Sequence, residues 1–203
     1  MSLTGGKLNK LNGDAGISAP ERSVPVMKLI RQHNPKSKNE LVELIKNHCK
    51  YRCECGIVSQ GTVEDFGKNL YDAQMQFWKK YEFTLEECIQ WEYNLFVINS
   101  LRGNTIEIKA ISELNKILEN IDIEEANQFY DEEFRIDLVI KKNNEEICGI
   151  QVKPATYDLM RQGVINRNLS SNEKWGKPVF YLKYNNSNQF TNLKEVIKNI
   201  REI

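Results

Sequence analysis

Histidine is scarce in this chain of 203 residues, since only His33 and His48 are present. These two histidines form no evident acid–base pair, and no serine or cysteine lies in a pattern typical of a catalytic nucleophile. The sequence also lacks a P-loop and a dinucleotide-binding fingerprint. These absences argue against hydrolysis through a covalent enzyme intermediate, ATP-driven chemistry and NAD-dependent chemistry.

Long apolar runs and a secretion signal are missing as well, so we expect a cytoplasmic protein. Lysine plus arginine and aspartate plus glutamate number 28 each, which leaves no net charge to indicate a nucleic-acid partner. A local basic groove would still suffice to bind phosphate groups. With 40% hydrophobic residues, the chain can form one large domain, or a core with a modest extension.

The segment at residues 134–153, FRIDLVIKKNNEEICGIQVK, is typical of two strands joined by a tight turn. Its apolar residues alternate with polar ones, so burying one face requires specific cross-strand pairs. The predicted pairs are Ile136 with Val152, Leu138 with Ile150, and Ile140 with Cys148. This register sets Asp137 opposite Gln151. It also favours a three-residue loop, 143–145, over a two-residue Asn143-Asn144 turn, which would shift the pairing by one residue.

The polar face of this hairpin carries a carboxylate, an amide and an ammonium group. Asp137, Gln151 and Lys153 supply them, and a metal-dependent phosphodiesterase requires such a set on one surface. An ordinary amphipathic hairpin with a polar outer face would show the same pattern, and both interpretations stay open on these residues alone.

The flanking segments predict an α/β arrangement around the hairpin. A helix is predicted at residues 104–118, with Glu107 facing away from most of its apolar residues. A weak strand is predicted at 128–131, a helix at about 156–168, and a short buried strand at 179–182.

Three segments carry a resemblance to a known group of enzymes: RGNTIE (102–107), RIDLVI (135–140) and GIQVKP (149–154). Through them the chain resembles the PD-(D/E)xK nuclease superfamily and, more narrowly, the MjaI-like family of restriction endonucleases, which recognise CTAG. The resemblance implies a restriction-endonuclease-like α/β core, in which helices flank a mixed central sheet, with a helical N-terminal extension. It implies a type II restriction endonuclease that hydrolyses double-stranded DNA.

The same resemblance implies a Mg²⁺ site. Asp137, Gln151 and the Val152 carbonyl would hold the ion, and Lys153 would position or activate the attacking water. Gln151 stands where the superfamily usually has Glu or Asp, and no proline precedes Asp137. Because an amide adds no charge, the metal should bind more weakly, and Glu107 could supply a second carboxylate.

The implied partners are double-stranded DNA, a second copy of the chain in a homodimer, and a companion DNA methyltransferase. Two alternatives remain. One is a repair or junction nuclease of the same fold, and the other is a non-catalytic, zinc-stapled DNA-binding module.

A polar segment after the hairpin offers candidate base-reading side chains, since arginine, glutamine and asparagine recognise base edges. They are Arg161, Gln162, Asn166, Arg167 and Asn168. A solvated helix face would have the same composition.

The N-terminal half is predicted to be an irregular arm at 1–38 and a helical region at 39–100, before a nuclease core at 101–203. The arm is rich in Gly, Pro, Asn and Lys, as in segments that pack little. Helices are predicted at 38–50, from Thr62 to about residue 81, and from Thr84 to about residue 100. Thr62 with Asp65, and Thr84 with Glu87, have the spacing of helix N-terminal caps.

Cys49, Cys53 and Cys55 lie within seven residues and could ligate Zn²⁺. His48, His33 or Cys88 would be the fourth ligand. The spacing C-x(3)-C-x-C is not a standard zinc motif, so free structural cysteines are the alternative. Cys88 and Cys148 are most simply core residues.

Overall fold

A computed structural model describes residues 4–19, 22–50, 53–127 and 129–203 of the chain. The chain divides into two compact units, Met1–Asn104 and Thr105–Ile203. Within the described ranges, no helix combines the length and the apolar character that crossing a bilayer requires.

The first unit is helical. Its elements are α1 (Gly6–Ala15), α2 (Val26–His33), α3 (Lys38–Asn47), α4 (Val63–Trp78), α5 (Leu85–Tyr93), a π-helical segment (Asn94–Asn99) and the start of α6 (Ser100–Asn115). One apolar cluster joins α2, α3, α4 and the π-helical segment, and a second joins α1, α4 and α5. Cys88 is fully buried in the second cluster, so its prediction as a core residue is confirmed.

Two predicted helix starts are confirmed in this unit. Thr62 and Thr84 cap α4 and α5, and each accepts a hydrogen bond from the backbone of the acidic residue three positions on. The side chains of Asp65 and Glu87 accept hydrogen bonds from the backbone of the cap residues in return. These reciprocal bonds satisfy N–H groups that a helix start leaves without partners.

The prediction of an irregular arm at residues 1–38 is wrong for the part of this range that the structure describes. Helices α1 and α2 occupy much of it, and Leu8, Leu11, Leu29 and Ile30 are buried. Leu8 and Leu11 lie three residues apart on one helix face, so a few apolar residues suffice to dock a short helix of otherwise polar composition.

The second unit is an α/β unit with a four-stranded sheet in the order β1-β2-β3-β4. The strands are β1 (Asp122–Glu125), β2 (Leu138–Lys142), β3 (Glu145–Pro154) and β4 (Val179–Tyr184). The pairs β1–β2 and β2–β3 are antiparallel, and β3–β4 is parallel. The sheet is therefore mixed, as predicted.

Helices cover both faces of this sheet. α6 and α8 (Leu193–Arg201) pack on the face that carries Leu138, Ile140, Cys148 and Ile150. Trp175, at the end of α7 (Gln162–Trp175), packs on the opposite face with Val139 and Val179. Cys148 is fully buried, which confirms its prediction as a core residue.

The predicted hairpin register is confirmed where β2 and β3 pair. Leu138 lies opposite Ile150 and Ile140 opposite Cys148. The predicted three-residue loop is wrong, because Lys142 pairs with Glu145 across a two-residue turn. Both turn residues, Asn143 (φ 53°) and Asn144 (φ 65°), have the positive φ values that a type I′ turn requires. A β-bulge between Ile140 and Lys141, which leaves Ile147 without an opposite residue, restores the register.

The predicted pairing of Ile136 with Val152 is also wrong. Strand β2 begins only at Leu138, because Arg135 is in the left-handed conformation (φ 56°) and the chain bends at residue 137. Ile136 consequently packs with Val139 and Trp175, on the face opposite to Leu138. The predicted pair of Asp137 with Gln151 therefore falls just outside the ladder.

Two further element predictions need correction. The weak strand at 128–131 is wrong: the strand lies earlier, at β1, and Tyr130–Phe134 forms a π-helical turn, while Gln128 lies outside the described residues. The helix predicted at 156–168 is a 3₁₀ turn at Ala155–Leu159 followed by α7. The strand predicted at 179–182 is confirmed and extends to Tyr184, but its predicted burial holds only for Leu182, since the other residues of β4 are partly exposed.

Candidate active site

Asp137 lies at the bend where the chain enters β2. Its backbone N–H donates a hydrogen bond to the Ile150 carbonyl (2.9 Å), and its Oδ2 atom accepts one from the Val152 N–H (2.6 Å). The side chain is only 14% exposed. The carboxylate thus takes the place that a further residue of β2 would have had beside β3.

Lys153 contacts this carboxylate. Its Nζ atom lies 3.6 Å from Asp137 Oδ2, and its side chain is 22% exposed. Since Gln151 and Lys153 are two residues apart on one strand, they share a sheet face. The structure therefore brings Asp137 and Lys153 together, and it places Gln151 on the Lys153 face of β3.

Gln151 is a buried amide, 1% exposed, in the middle of β3. Within the part of the chain that the structure describes, its Oε1 atom is buried and has no hydrogen-bond partner. A buried acceptor in this state costs about 1–3 kcal/mol of stability. Such a group is commonly explained by a ligand, an ion or a water molecule that completes it.

Burial raises the pKa of the Asp137 carboxyl group, because the charged form loses hydration. The ammonium group of Lys153 and the Val152 N–H oppose this effect by favouring the charged form. A poorly hydrated carboxylate and an unsatisfied amide oxygen are both groups that a bound cation would compensate.

A network of uncharged polar side chains borders the site, and the sequence patterns did not single it out. Tyr181 pairs with Gln151 across β3 and β4, and its hydroxyl donates to Asn172 Oδ1 (2.6 Å). The Asn172 amide donates to the Phe134 carbonyl (2.7 Å), which ties α7 to the segment before Asp137. The alternation of Tyr181 with the buried Leu182 was the one available signal for its position.

Helix α7 begins after Arg161, at Gln162, and carries the other candidate DNA-contacting residues. Three of them, Asn166, Arg167 and Asn168, line an open groove of about 550 Å³. Arg135 and Lys174 add two positive charges to the same groove. Asn168 also donates a hydrogen bond to the Tyr157 hydroxyl (2.8 Å).

Arg161 and Gln162 lie at the start of α7 and are not among the residues that line this groove. The Gln162 amide donates to Asn166 Oδ1 (2.8 Å), a bond along one face of the helix. The groove is therefore lined by three of the five predicted DNA-contacting residues.

Glu107 lies on α6, next to the core residue Ile106, and its Oε2 atom is buried. Because α6 packs against the sheet face of Ile150, Glu107 belongs to the helix on the face opposite to Gln151. Its role as a second carboxylate stays a prediction.

The predicted zinc ligands Cys49, Cys53 and Cys55 lie in the first unit, between α3 and α4, and all three are partly exposed. The structure groups Cys55 with His33 and His48 instead. The predicted set of three cysteines is therefore not the group that the structure assembles, and Cys88, buried in α5, is not part of it.

Comparison with known proteins gives one finding for nearly the whole chain. The family model described as MjaI restriction endonuclease matches residues 7–201. No curated protein and no solved structure matches the chain.

Proposed function

This chain belongs to the MjaI restriction endonuclease family and is a restriction endonuclease acting on DNA, and we propose that it hydrolyses double-stranded DNA with Mg²⁺ held beside Asp137. The observation that carries the proposal is the Oε1 atom of Gln151, which is buried and has no hydrogen-bond partner among the residues that the structure describes. It lies on the strand face whose Lys153 contacts the Asp137 carboxylate.

The oxygen atoms that could act as metal ligands suit a hard divalent cation. Mg²⁺ prefers oxygen ligands, and Asp137 offers a carboxylate while Gln151 offers an amide oxygen. Val152 offers a third ligand oxygen, that of its backbone carbonyl. The Val152 N–H donates a hydrogen bond to Asp137, and the N–H and C=O groups of one residue in an antiparallel ladder point to the same edge of the strand. When bound, the ion would offset the negative charge that develops on the scissile phosphate.

Lys153 has a role of its own in this proposal. Its ammonium group is partly buried and lies against Asp137, so the position of the charge is set before DNA binds. From there it would orient the attacking water and stabilise charge at the phosphate. A preorganised charge in a poorly hydrated site has a larger effect than the same charge in water.

The amide of Gln151 distinguishes this site from one with two carboxylates. It adds a ligand oxygen without a charge, so the site should need a higher Mg²⁺ concentration unless Glu107 completes it. Because Glu107 lies on α6, a change at that residue can be tested separately from changes on the hairpin.

DNA contacts would come from the groove on α7. Arg135, Arg167 and Lys174 supply positive charge for phosphates, and Asn166 supplies an amide that could reach base edges. We propose cleavage at a palindromic site, CTAG, by a homodimer of the type II class, since a twofold protein can cut both strands of a twofold site. A companion methyltransferase would protect the same site.

The decisive experiment is cleavage of plasmid DNA with Mg²⁺, followed by sequencing of the fragment ends. We expect discrete fragments whose ends share CTAG, and no cleavage when EDTA is present. Ends at junctions or damaged bases would instead support a repair or junction nuclease. Binding of DNA with no cleavage under any divalent metal would support the non-catalytic module.

A further inference from the structure

Three metal-ligating side chains of the first unit converge, although they lie far apart along the chain. His33 ends α2, His48 follows directly after α3, and Cys55 lies in the connection to α4. One ligand atom from each lies within 4.8 Å of the others. Zn²⁺ is commonly bound by combinations of histidine nitrogen and cysteine sulfur.

The spacing of two of these atoms fits tetrahedral coordination. His48 Nε2 lies 3.3 Å from Cys55 Sγ. Zinc–nitrogen and zinc–sulfur bonds of about 2.0 and 2.3 Å place tetrahedral ligand atoms roughly 3.4–3.6 Å apart. An ion could therefore enter between the imidazole and the thiol with only small movements of either group.

His48 is already oriented as a ligand. Its ring is almost fully buried, and its Nδ1 atom lies 2.7 Å from the Leu44 carbonyl oxygen. A carbonyl oxygen only accepts hydrogen bonds, so Nδ1 carries the proton and donates it, which leaves the Nε2 lone pair directed at Cys55. Metal-binding histidines generally have such a backbone or carboxylate partner on their second nitrogen.

His33 and Cys53 are candidates for the two remaining ligand positions, and both are more exposed than His48. The His33 ring centroid lies 4.9 Å from that of His48, and His33 is exposed, which gives an ion a route of entry. Cys53 lies two residues before Cys55 in the same connection and is partly exposed, so its thiol is a candidate fourth ligand. Cys49, in contrast, lies six residues before Cys55 and pairs through its backbone with Ser59.

We propose that His33, His48, Cys53 and Cys55 bind one structural Zn²⁺ ion that joins the end of α2 to the connection between α3 and α4. The mixed nitrogen and sulfur set selects zinc over Mg²⁺, which prefers oxygen. The ion would stabilise the first unit, whereas the proposed nuclease residues belong to the second. The two metal sites therefore differ in ligand chemistry and in function.

The test measures metal directly on the full-length chain, purified without chelators. We expect one Zn²⁺ per chain by elemental analysis. After replacement with Co²⁺, we expect the absorption of a tetrahedral cobalt–thiolate centre. A wild-type protein that contains no zinc, and takes up neither Zn²⁺ nor Co²⁺ at equimolar concentration, would overturn the proposal.

Two variants and one control identify the ligands. His33→Gln changes an exposed side chain and opens no core cavity, so it should fold yet lose at least about tenfold in zinc affinity. Cys55→Ser should lose both zinc and the cobalt–thiolate absorption. Cys49→Ser, the matched control, should keep both. Loss of zinc in Cys49→Ser together with full retention in His33→Gln would reject this ligand set.

Discussion

The ammonium nitrogen of Lys153 lies 3.6 Å from Oδ2 of Asp137, and the Val152 N–H donates a hydrogen bond to that same oxygen. Val152 and Lys153, which are neighbours on β3, thus fix the carboxylate of Asp137, which lies just before β2. The side chain is oriented before any ligand binds, which lowers the free energy needed to assemble a site around it.

Asp137→Asn should reduce cleavage by at least about 10²-fold, because the charge facing the metal and Lys153 is removed. The asparagine oxygen can still accept the Val152 hydrogen bond, so the fold and DNA binding should persist. Single-turnover cleavage and a gel-shift titration measure the two properties separately.

The control for this variant is Glu124→Gln, which removes a carboxylate from another sheet ion pair, that of Glu124 with Lys141. Lys141 is four strand residues from Asp137, or roughly 13 Å. Cleavage by Glu124→Gln should match that of the wild type. Near-normal cleavage by Asp137→Asn would reject the proposed site.

Lys153→Met should slow cleavage by about 10²–10³-fold with little change in DNA affinity, because the charge acts chiefly in the transition state. Lys177→Met is the matched control, since Lys177 has an ion pair of similar length with Glu146 (3.5 Å). Equal effects of the two changes on cleavage rate would show that Lys153 has only a structural or general electrostatic role.

Gln151→Leu should stabilise the metal-free protein by about 1–3 kcal/mol while abolishing cleavage, because it removes a buried oxygen that has no partner in the described part of the chain. Gln151→Glu should destabilise the metal-free protein, since it places a carboxylate at a buried position of β3, and Mg²⁺ should restore its stability. Urea unfolding with and without Mg²⁺ measures both effects. One common Mg²⁺ dependence for wild type and both variants would exclude Gln151 as a ligand.

Stability should fall between pH 4.5 and pH 7 because of Glu92. Burial raises the pKa of this carboxyl group from 4.5 to about 7, against the opposing effect of the Ser18 hydroxyl. The folded chain then binds more protons than the unfolded chain in this window, so the free energy of unfolding decreases as pH rises, by on the order of 3 kcal/mol.

Glu92→Gln should remove this decrease, with a gain in stability at pH 8 and little at pH 4.5. Glu43→Gln, an exposed carboxylate on α3, is the control and should keep the pH profile of the wild type. Urea unfolding at several pH values decides the point, and an unchanged profile in Glu92→Gln would assign the pH effect to other groups.

Gly67→Ala should destabilise the first unit by about 1–3 kcal/mol or more, because a Cβ atom there would lie 2.5 Å from the Ile89 backbone. Gly103→Ala, in α6, meets no atom within 4 Å and should stabilise by about 0.5–1 kcal/mol through helix propensity. Thermal unfolding of both variants should therefore shift in opposite directions; a shift of the same sign would contradict the helix packing described for α4 and α5.

Local patterns in the sequence predicted the features that local forces determine. The cap residues Thr62 and Thr84 and the pairing of Leu138 with Ile150 follow from short-range hydrogen bonds and from alternation along a strand. The helices of the N-terminal segment did not follow, because α1 is rich in glycine and asparagine, which have weak helix propensity, and because long-range burial of Leu8 and Leu29 stabilises α1 and α2.

The candidate site was predicted in part for the same reason. Asp137 lies one residue before β2 and is hydrogen-bonded to β3, so the alternation that predicts the pair of Leu138 with Ile150 also brings Asp137 near Lys153. Asn172 comes from a helix whose position depends on tertiary packing, and the convergence of His33 with Cys55 joins segments that are 22 residues apart in sequence. No local pattern contains such contacts.

The bulge at Ile147 determines which face of the sheet each later side chain of β3 occupies. A two-residue turn alone would bring Gln151 and Lys153 to the face that now holds Ile150, and the one extra residue of β3 reverses that outcome. A three-residue turn without a bulge gives the same cross-strand pairs away from the turn. Either arrangement of the turn would therefore leave Gln151 and Lys153 on their present face. Deleting Ile147 would remove the bulge and leave Cys148 opposite Ile140 and Ile150 opposite Leu138, so every later side chain of β3 would stay on its present face.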